Sequence, residues 1–424
     1  MWPFSRNDAA EIRSAQPYWL YRNGIADAGS SLANSIDCDI AIVGAGITGA
    51  LIADALVENS RRVVIVDQRD QALGSTSAST ALLQYEIDQH LIDLEQALGS
   101  QQARLAYTAG VESISLIEKL ATECTDDVNF ARRLSLYLAS NEGDLEALRK
   151  ECAARKGAGI EVEWLDGTQL IDRFGCHRPG GILSSAAAQL DPIRLTRSLF
   201  ERSVQRGAQL YARTSIEEIE DHGDRITLRT ATGQLITASH AIVCGGYESL
   251  KFLPVHVAEL HSTYALATEP VQRSEHAVKS ALIWESARPY LYLRGTPDDR
   301  IIVGGADVPF KNSAVRDSLL PQKVKKIQEL YRTLFATELP PVAYAWAGTF
   351  GETADGLPYI GHAPGTPSRL LFALCFGGNG ITYSAHAGAM LRATIENAFH
   401  PLHEIFGFSR LARCANRAGA YALV

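Results

Sequence analysis

Residues 39–49 read DIAIVGAGITG. A short apolar strand runs without a break into Gly44, Gly46 and Gly49, and then into ALIADALVE over Ala50–Glu58, whose apolar periodicity predicts a helix. Arg61-Arg62 lead into Val63-Val64-Ile65-Val66, a second strand apolar on both faces, and Asp67 closes it. A strand, a glycine turn, a helix and a parallel strand leave few folds open. Gly44 allows the tight turn, Gly46 lets a pyrophosphate approach the backbone, and Gly49 lets the helix pack close to the sheet. The turn Gly44-Ala45-Gly46-Ile47-Thr48-Gly49 presents free N–H groups at a helix N-terminus, which suits phosphate. Asp67 is placed to accept hydrogen bonds from ribose hydroxyls. These features together predict a dinucleotide site; the turn alone does not separate FAD from NAD.

Other segments return to the same chemistry. Residues 71–82 (QALGSTSASTAL) form a Gly/Ser/Thr-rich loop. Asp191–Arg206 predicts a helix with Asp191 as N-cap and Pro192 at its first position. Ala241–Cys244 predicts an apolar strand that ends at Gly245-Gly246. Near the end of the chain, Leu370–Leu374 predicts a strand, Gly377-Gly378-Asn379-Gly380 a turn, and Ile381–Asn397 a helix whose N-terminus can favour an anionic reduced flavin. Between these pieces, residues 88–124 and 143–157 are rich in helix formers and read as a helical insertion. Ile160–Leu165, Ser262–Thr268, Tyr290–Arg294 and Ile301–Gly304 predict strands, and Leu320–Ala336 an amphipathic helix. Pro17–Tyr21 is expected to pack a leading segment onto the body.

Composition removes other classes. The net charge of -8 and the lack of a basic stripe give no reason to expect nucleic-acid binding. No run of apolar residues is long enough for a transmembrane helix, and the start of the chain lacks the apolar region of a secretory signal. Cys38, Cys124, Cys152, Cys176, Cys244, Cys375 and Cys414 are scattered and form no CxxC, which argues against a disulfide framework and a metal site. A reducing cytoplasm is the expected setting, with peripheral membrane association left open. His177, His362 and His386 have no triad or ligand spacing around them.

DIAIVGAGITGALIADAL, VVIVDQ, GSTSASTALLQYEID, DPIRLTRSLFERSVQRGAQL, ASHAIVCGGYES, RIIVGG, AGTFGETADGLPYIG and CFGGNGITYSAHAGAML occur in this order. In order and spacing they resemble the FAD-dependent amine and D-amino-acid oxidase family, which includes glycine oxidase and sarcosine oxidase, from about Cys38 to Asn397. The resemblance implies an α/β chain: a Rossmann-like FAD-binding domain with a parallel sheet, and an α+β substrate domain with a mixed sheet. The FAD-binding domain is expected over 37–95, 188–250 and 340–397, the substrate or cap domain over 96–187 and 251–339, and terminal extensions over 1–36 and 398–424. Carried over by motif, Gln68 and Arg69 lie beside the adenosine. Ser75, Thr76, Ser77, Ser79, Thr80 and Ala81 run along the pyrophosphate and ribityl chain. Ile216 meets the adenine through its backbone. Cys244, Gly245 and Gly246, with Gly348, line the cofactor. Gly377, Gly378, Asn379, Gly380, Ile381 and Thr382 clamp the flavin.

Two departures bear on substrate. Relatives resembling glycine oxidase hold the substrate carboxylate with an arginine where this chain has Phe350, and often place another arginine where it has Gly378. No cysteine sits near AGTFGE to link the flavin, so FAD is expected to be noncovalent. Strand alternation puts Tyr290, Tyr292 and Arg294 on one face, which makes Arg294 the expected carboxylate holder with Tyr292 beside it. Tyr85, Gln84 and Tyr383 are expected near the flavin face. The resemblance implies oxidation of the C–N bond of an amino acid or related amine, with dioxygen or a quinone as acceptor. A 2-hydroxy-acid dehydrogenase and a non-catalytic flavin-binding subunit stay open, as does a homo-oligomer.

Overall fold

The computed structural model describes residues 13–14, 17–25, 29–57, 61–271 and 277–411. Cys414 and residues 1–12 lie outside them. The first strand, Ile40–Val43, occupies the middle of a six-stranded sheet ordered Tyr359–His362, Leu370–Leu374, His240–Val243, Ile40–Val43, Val63–Val66 and Gln209–Tyr211. All neighbours are parallel except the first pair. Alternation explains the packing of both faces. Ile40, Ile42, Val63 and Ile65 join a core with the helices, while Ala41, Val64 and Val66 join a second core with Ile216, Leu228 and Ile236. The second core belongs to a four-stranded sheet of Ile216–Asp221, Ile226–Thr230, Leu235–Ala238 and Ile36–Asp37.

Helices Ile47–Leu56, Pro192–Gln205 and Gly380–Ile395 cover the other face. The start of the second is fixed as expected: the Asp191 carboxylate accepts from the N–H groups of Ile193 and Arg194, both at 3.1 Å. The first and third helices meet where Gly388 faces Ala55; a Cβ at Gly388 would lie 2.3 Å from the Ala55 Cβ. Gly44 adopts φ +127°, and a side chain there would strike the carbonyl of Cys244. A Cβ on Gly49 would sit 1.9 Å from the Gly44 carbonyl oxygen, so strand, turn and helix can close up only with glycine at both positions.

A ten-stranded mixed sheet forms the second body, running from Arg13–Ser14 through Val342–Glu352, Glu259–Thr268, Ile301–Pro309, Leu291–Gly295, Ala281–Glu285, Ala131–Leu138 and Gly180–Gln189 to Leu82–Gln84, with Val162–Asp166 also paired to Gly180–Gln189. Val342–Glu352, grouped by sequence with the FAD-binding segments, pairs with Glu259–Thr268 in this sheet. The region read as a helical insertion does carry helices Leu91–Leu98, Ser100–Glu123 and Leu145–Gly157. Sequence reading passes over two strands, Ala131–Leu138 between those helical stretches and Gly180–Gln189 beyond them. The second reads GGILSSAAAQ, too poor in β-branched residues to announce a strand. Its glycines are needed for contact: a Cβ on Gly181 would lie 2.8 Å from the Tyr137 carbonyl oxygen. Helix Leu320–Phe335 covers the far side of the sheet through Ile327, Tyr331 and Leu334.

The contact between Gly388 and Ala55 sets the spacing of two helices that both start at the cleft described next. Gly388→Val is expected to destabilise the fold by about 1–3 kcal/mol through overpacking, read as a lower denaturant midpoint with the slope unchanged.

Candidate active site

A cleft with a cavity of about 280 Å³ runs between the two bodies. Most residues expected to hold the cofactor line it: Gly44, Gly46, Ile47, Thr48, Asp67, Gln68 and Arg69; Ser75, Thr76, Ser79, Thr80 and Ala81; Ile216; Cys244, Gly245 and Gly246; Gly348; and Gly377, Gly378, Asn379, Gly380 and Ile381. Ala45, Gly49, Ser77 and Thr382 lie just behind the wall. Ala45 donates its N–H to Asp67 (2.6 Å), Ser77 donates its hydroxyl to the Gly74 carbonyl (2.9 Å), and Thr382 is buried.

Local chemistry fits FAD. The helix Ile47–Leu56 starts at Gly46 with no side-chain cap, and so does Gly380–Ile395 at Asn379. Both N-termini open at the cleft, where their N–H groups can meet phosphate or a flavin edge. The Ser75 hydroxyl is buried on the wall without a hydrogen-bond partner. Asp67 takes the N–H of Ala45 on one oxygen and that of Arg69 (2.8 Å) on the other, leaving lone pairs for ribose hydroxyls. Burial pushes its pKa up to about 6 against the lowering effect of those N–H groups. Arg69 is held by both oxygens of Glu248, each at 2.7 Å. The thiols on the wall stay protonated, because burial drives Cys244 well up and Cys375 to about 12.

The substrate candidates divide. Tyr292 and Phe350 line the cleft. The Tyr292 hydroxyl lies 3.1 Å from Thr263 Oγ1, and Phe350 stacks on His261 with centroids 5.4 Å apart. Arg294 does not reach the cleft. It shares the strand face of Tyr292 as alternation requires, but it is fully buried behind the loop. Nη1 donates to the carbonyls of Ala81 (2.7 Å), Leu190 (3.0 Å) and Thr80 (3.3 Å), and Nε to that of Gly295 (3.1 Å). Burial lowers its pKa to about 9. Tyr85 is likewise turned away, with its hydroxyl 3.3 Å from Arg155 in a buried cluster. Tyr383 donates to the Gly356 carbonyl (2.8 Å), off the cleft wall.

A family model described as DAO, FAD dependent oxidoreductase, matches residues 39–394. The chain belongs to this FAD-dependent oxidoreductase family. It is 25% identical over 374 residues to the gamma-glutamylputrescine oxidoreductase of Escherichia coli (strain K12), covering 85% of this chain and 84% of that protein. It is 24% identical over 383 residues to a putative Rieske 2Fe-2S iron-sulfur protein of Bacillus subtilis (strain 168), covering 90% of this chain and 73% of that one. Its fold matches the crystal structure of glycine oxidase from Geobacillus kaustophilus with a TM-score of 0.73 at 19% identity, over 88% of this chain and 99% of that one. The cofactor of this chain is FAD.

Sequence reading missed several residues of the oxidoreductase's cleft. Glu86, Asp88, Asp307, Trp284 and Thr263 line it, together with Tyr290, which alternation already puts on the face of Tyr292. Glu86 and Asp88 sit in QYEID directly after the flavin loop, where their position was readable but their direction was not. Asp307 depends on a β-bulge. Ser262 pairs with Val308 and Tyr264 with Gly305, so Thr263 alone faces Ala306 and Asp307, and Ala306 takes φ +58°. The bulge re-aims Asp307 into the cleft.

Two outcomes are expected. Gly46→Val places a branched side chain at the helix start, where its Cβ would already lie 3.1 Å from Thr76 Oγ1. The variant should be purified without flavin while near-ultraviolet circular dichroism still shows folded protein; stoichiometric FAD would overturn the assignment of the turn. Arg294→Met leaves several buried carbonyls short of a donor, each costing about 1–3 kcal/mol. It should lower the unfolding midpoint and release FAD on desalting. A variant with native stability and full FAD content, slowed only in flavin reduction, would return Arg294 to the substrate.

Proposed function

We propose that this oxidoreductase oxidises the C–N bond of a small amine or amino-acid substrate bound against Tyr290 and Tyr292. Bound FAD supplies a two-electron acceptor for the hydride that leaves the carbon next to the substrate nitrogen. The observation that carries this reading is a wall of aromatic rings in the cleft of a chain that belongs to the FAD-dependent oxidoreductase family. An alcohol must lose its hydroxyl proton to a base as the hydride leaves. A neutral amine has its own lone pair to stabilise the cation left on carbon, so orientation and exclusion of water suffice. The chain provides both. Trp284, Tyr290 and Tyr292 form a wall of rings, with centroids 6.1 Å apart for the first pair and 5.7 Å for the second. Burial pushes the pKa of both phenols far up, so they stay protonated and can orient the substrate by hydrogen bonds. The imine formed is then hydrolysed by water.

Dioxygen or a quinone is the terminal acceptor in this reading. No helix among the described residues is long and apolar enough to cross a membrane. The six described cysteines are free.

The test is an anaerobic screen of amines, amino acids and 2-hydroxy acids against the purified yellow protein. Loss of the oxidised flavin band with a nitrogen compound, at a rate that rises with pH as the neutral amine forms, is the expected result. Bleaching by hydroxy acids alone would replace this reading with the alcohol-oxidising one. Reoxidation of the bleached protein by dioxygen and by a quinone, followed separately, identifies the acceptor.

A further inference from the structure

The cleft is charged asymmetrically. At its nucleotide end, Arg69 is neutralised by Glu248, and Lys251 Nζ donates to the Ile216 carbonyl at 3.0 Å. Along the wall of rings, the ionisable residues of the lining are acids: Glu86, Asp88 and Asp307. Asp88 points at the space a side chain on residue 378 would fill. A Cβ built on Gly378 would lie 3.3 Å from Asp88 Oδ2 and 3.4 Å from the Tyr290 hydroxyl. Acid and phenol therefore meet above Gly378. Asp307 enters through the bulge opposite Thr263, whose hydroxyl also touches Tyr292. Its Oδ1 is buried without a hydrogen-bond partner. Glu86 shows the same want of a partner independently. It is only 4% exposed, its Oε1 lies 3.7 Å from Arg155, and its Oε2 has no partner among the described residues. A buried carboxylate oxygen without a donor is costly, and a ligand that brings N–H groups removes that cost.

Nearby cations do not cancel these acids from inside the cleft. Arg288 approaches Asp88 to 3.8 Å and lies over the Tyr290 ring, but it is half exposed and not part of the lining. Lys323 donates to the Ala306 carbonyl at 2.6 Å, also outside the lining. Carboxylates beside electron-rich ring faces suit an organic cation.

Resting on the proposed C–N oxidation, we infer that the substrate carries a second ammonium group where an amino acid would carry its carboxylate, an α,ω-diamine in its simplest form. That second ammonium is held between Asp88 and Asp307 against the rings of Tyr290 and Tyr292, while the first presents its C–N bond to the FAD. Specificity is then electrostatic: the site welcomes a cation and repels a substrate carboxylate.

The test uses the holoenzyme and matched sets of three compounds, with chains of three to six carbons: the α,ω-diamine, the n-alkylamine and the ω-amino acid. Flavin reduction is followed anaerobically. At the best chain length the diamine should exceed the alkylamine at least about 10-fold in reductive efficiency, with the ω-amino acid lowest, a gap typical of one charge-assisted contact. Asp307→Asn and Asp88→Asn should each shrink the ratio of diamine to alkylamine at least about fivefold, since each removes one charge. A second readout is free of turnover. Permethylated α,ω-diammonium dications, which lack a lone pair and are not oxidised, should perturb the flavin spectrum of the parent and bind more weakly to Asp307→Asn. Alkylamines reduced as fast as diamines, or ω-amino acids ahead of both, would overturn the inference and leave C–N oxidation standing; the second result would point to Arg288 as a carboxylate holder. No dication binding to the parent would overturn it as well. Reduction by hydroxy acids alone, with dications still bound, would instead sink the C–N reading and keep the cation site.

Discussion

Four consecutive backbone carbonyls organise this molecule. The loop between Gly74 and Leu82 forms a wall of the cleft, so its other side must be satisfied by protein. Trp346 Nε1 donates to the carbonyl of Ala78 at 2.9 Å, and Trp19 Nε1 to that of Ser79 at 2.7 Å. Arg294 takes those of Thr80 and Ala81. The donors come from the leading helix Tyr18–Asn23, from Leu291–Gly295 and from Val342–Glu352, three distant parts of the chain. Each buried carbonyl without a partner costs about 1–3 kcal/mol, so four together approach the whole stability of a typical domain. The loop, the leading helix and the large sheet therefore become one structure or none. Trp19 also lies 5.3 Å beneath the Arg294 guanidinium, so the donors brace one another.

That arrangement explains why Arg294 could be misplaced by a correct local rule. Alternation put Tyr290, Tyr292 and Arg294 on one face, and they share it. A strand face, however, has two ends. Tyr292 lies where the face opens on the cleft. Two residues on, the same face is covered by the loop, and a long side chain finds carbonyls rather than substrate. Nothing in LYLRG records where the covering loop begins. Phe350 and Tyr292 were readable because their neighbours were motifs; Tyr85 was not, because its ring turns into a cluster with Arg155 and Tyr107 assembled from distant helices.

The cofactor half of the cleft was legible for a physical reason. The groups expected to meet phosphate and ribose are backbone N–H groups, helix starts and one carboxylate, and each demands a residue type at a fixed spacing. Gly44 needs its φ, Gly49 its missing Cβ, and Asp67 its place at the strand end. The substrate half is written in side chains brought together by a bulge and by sheet order. GGAD at Gly304–Asp307 contains the signal for the bulge, glycines followed by a polar residue, but the partner that turns Asp307 inward is Thr263, some forty residues earlier. Small-residue strands such as GGILSSAAAQ are hidden for a related reason: a place between paired neighbours, Ala131–Leu138 on one side and Leu82–Gln84 and Val162–Asp166 on the other, selects for close approach over β-propensity.

The acids of the cleft also bear on how the protein balances stability against binding. Burial raises the folded-state pKa of Asp307 to about 6 from an ordinary 3.8, so the folded chain binds that proton more tightly than the unfolded chain does. The resulting stabilisation is complete below about pH 4 and is lost as pH rises through about 6. Near neutral pH the ligand-free fold therefore carries an ionised, underpaired carboxylate at a cost. Glu86 is raised in the same direction by burial, with Arg155 opposing. The helix contacts, the glycine turn and the clamp on the loop hold the two bodies together in spite of this. A cation entering between the acids removes part of the cost, so binding it draws on free energy already invested in the fold. A carboxylate entering the same space would add to the cost. In the proposed diamine site the discrimination lies in charges fixed by the fold, which is what preorganisation means for such a site.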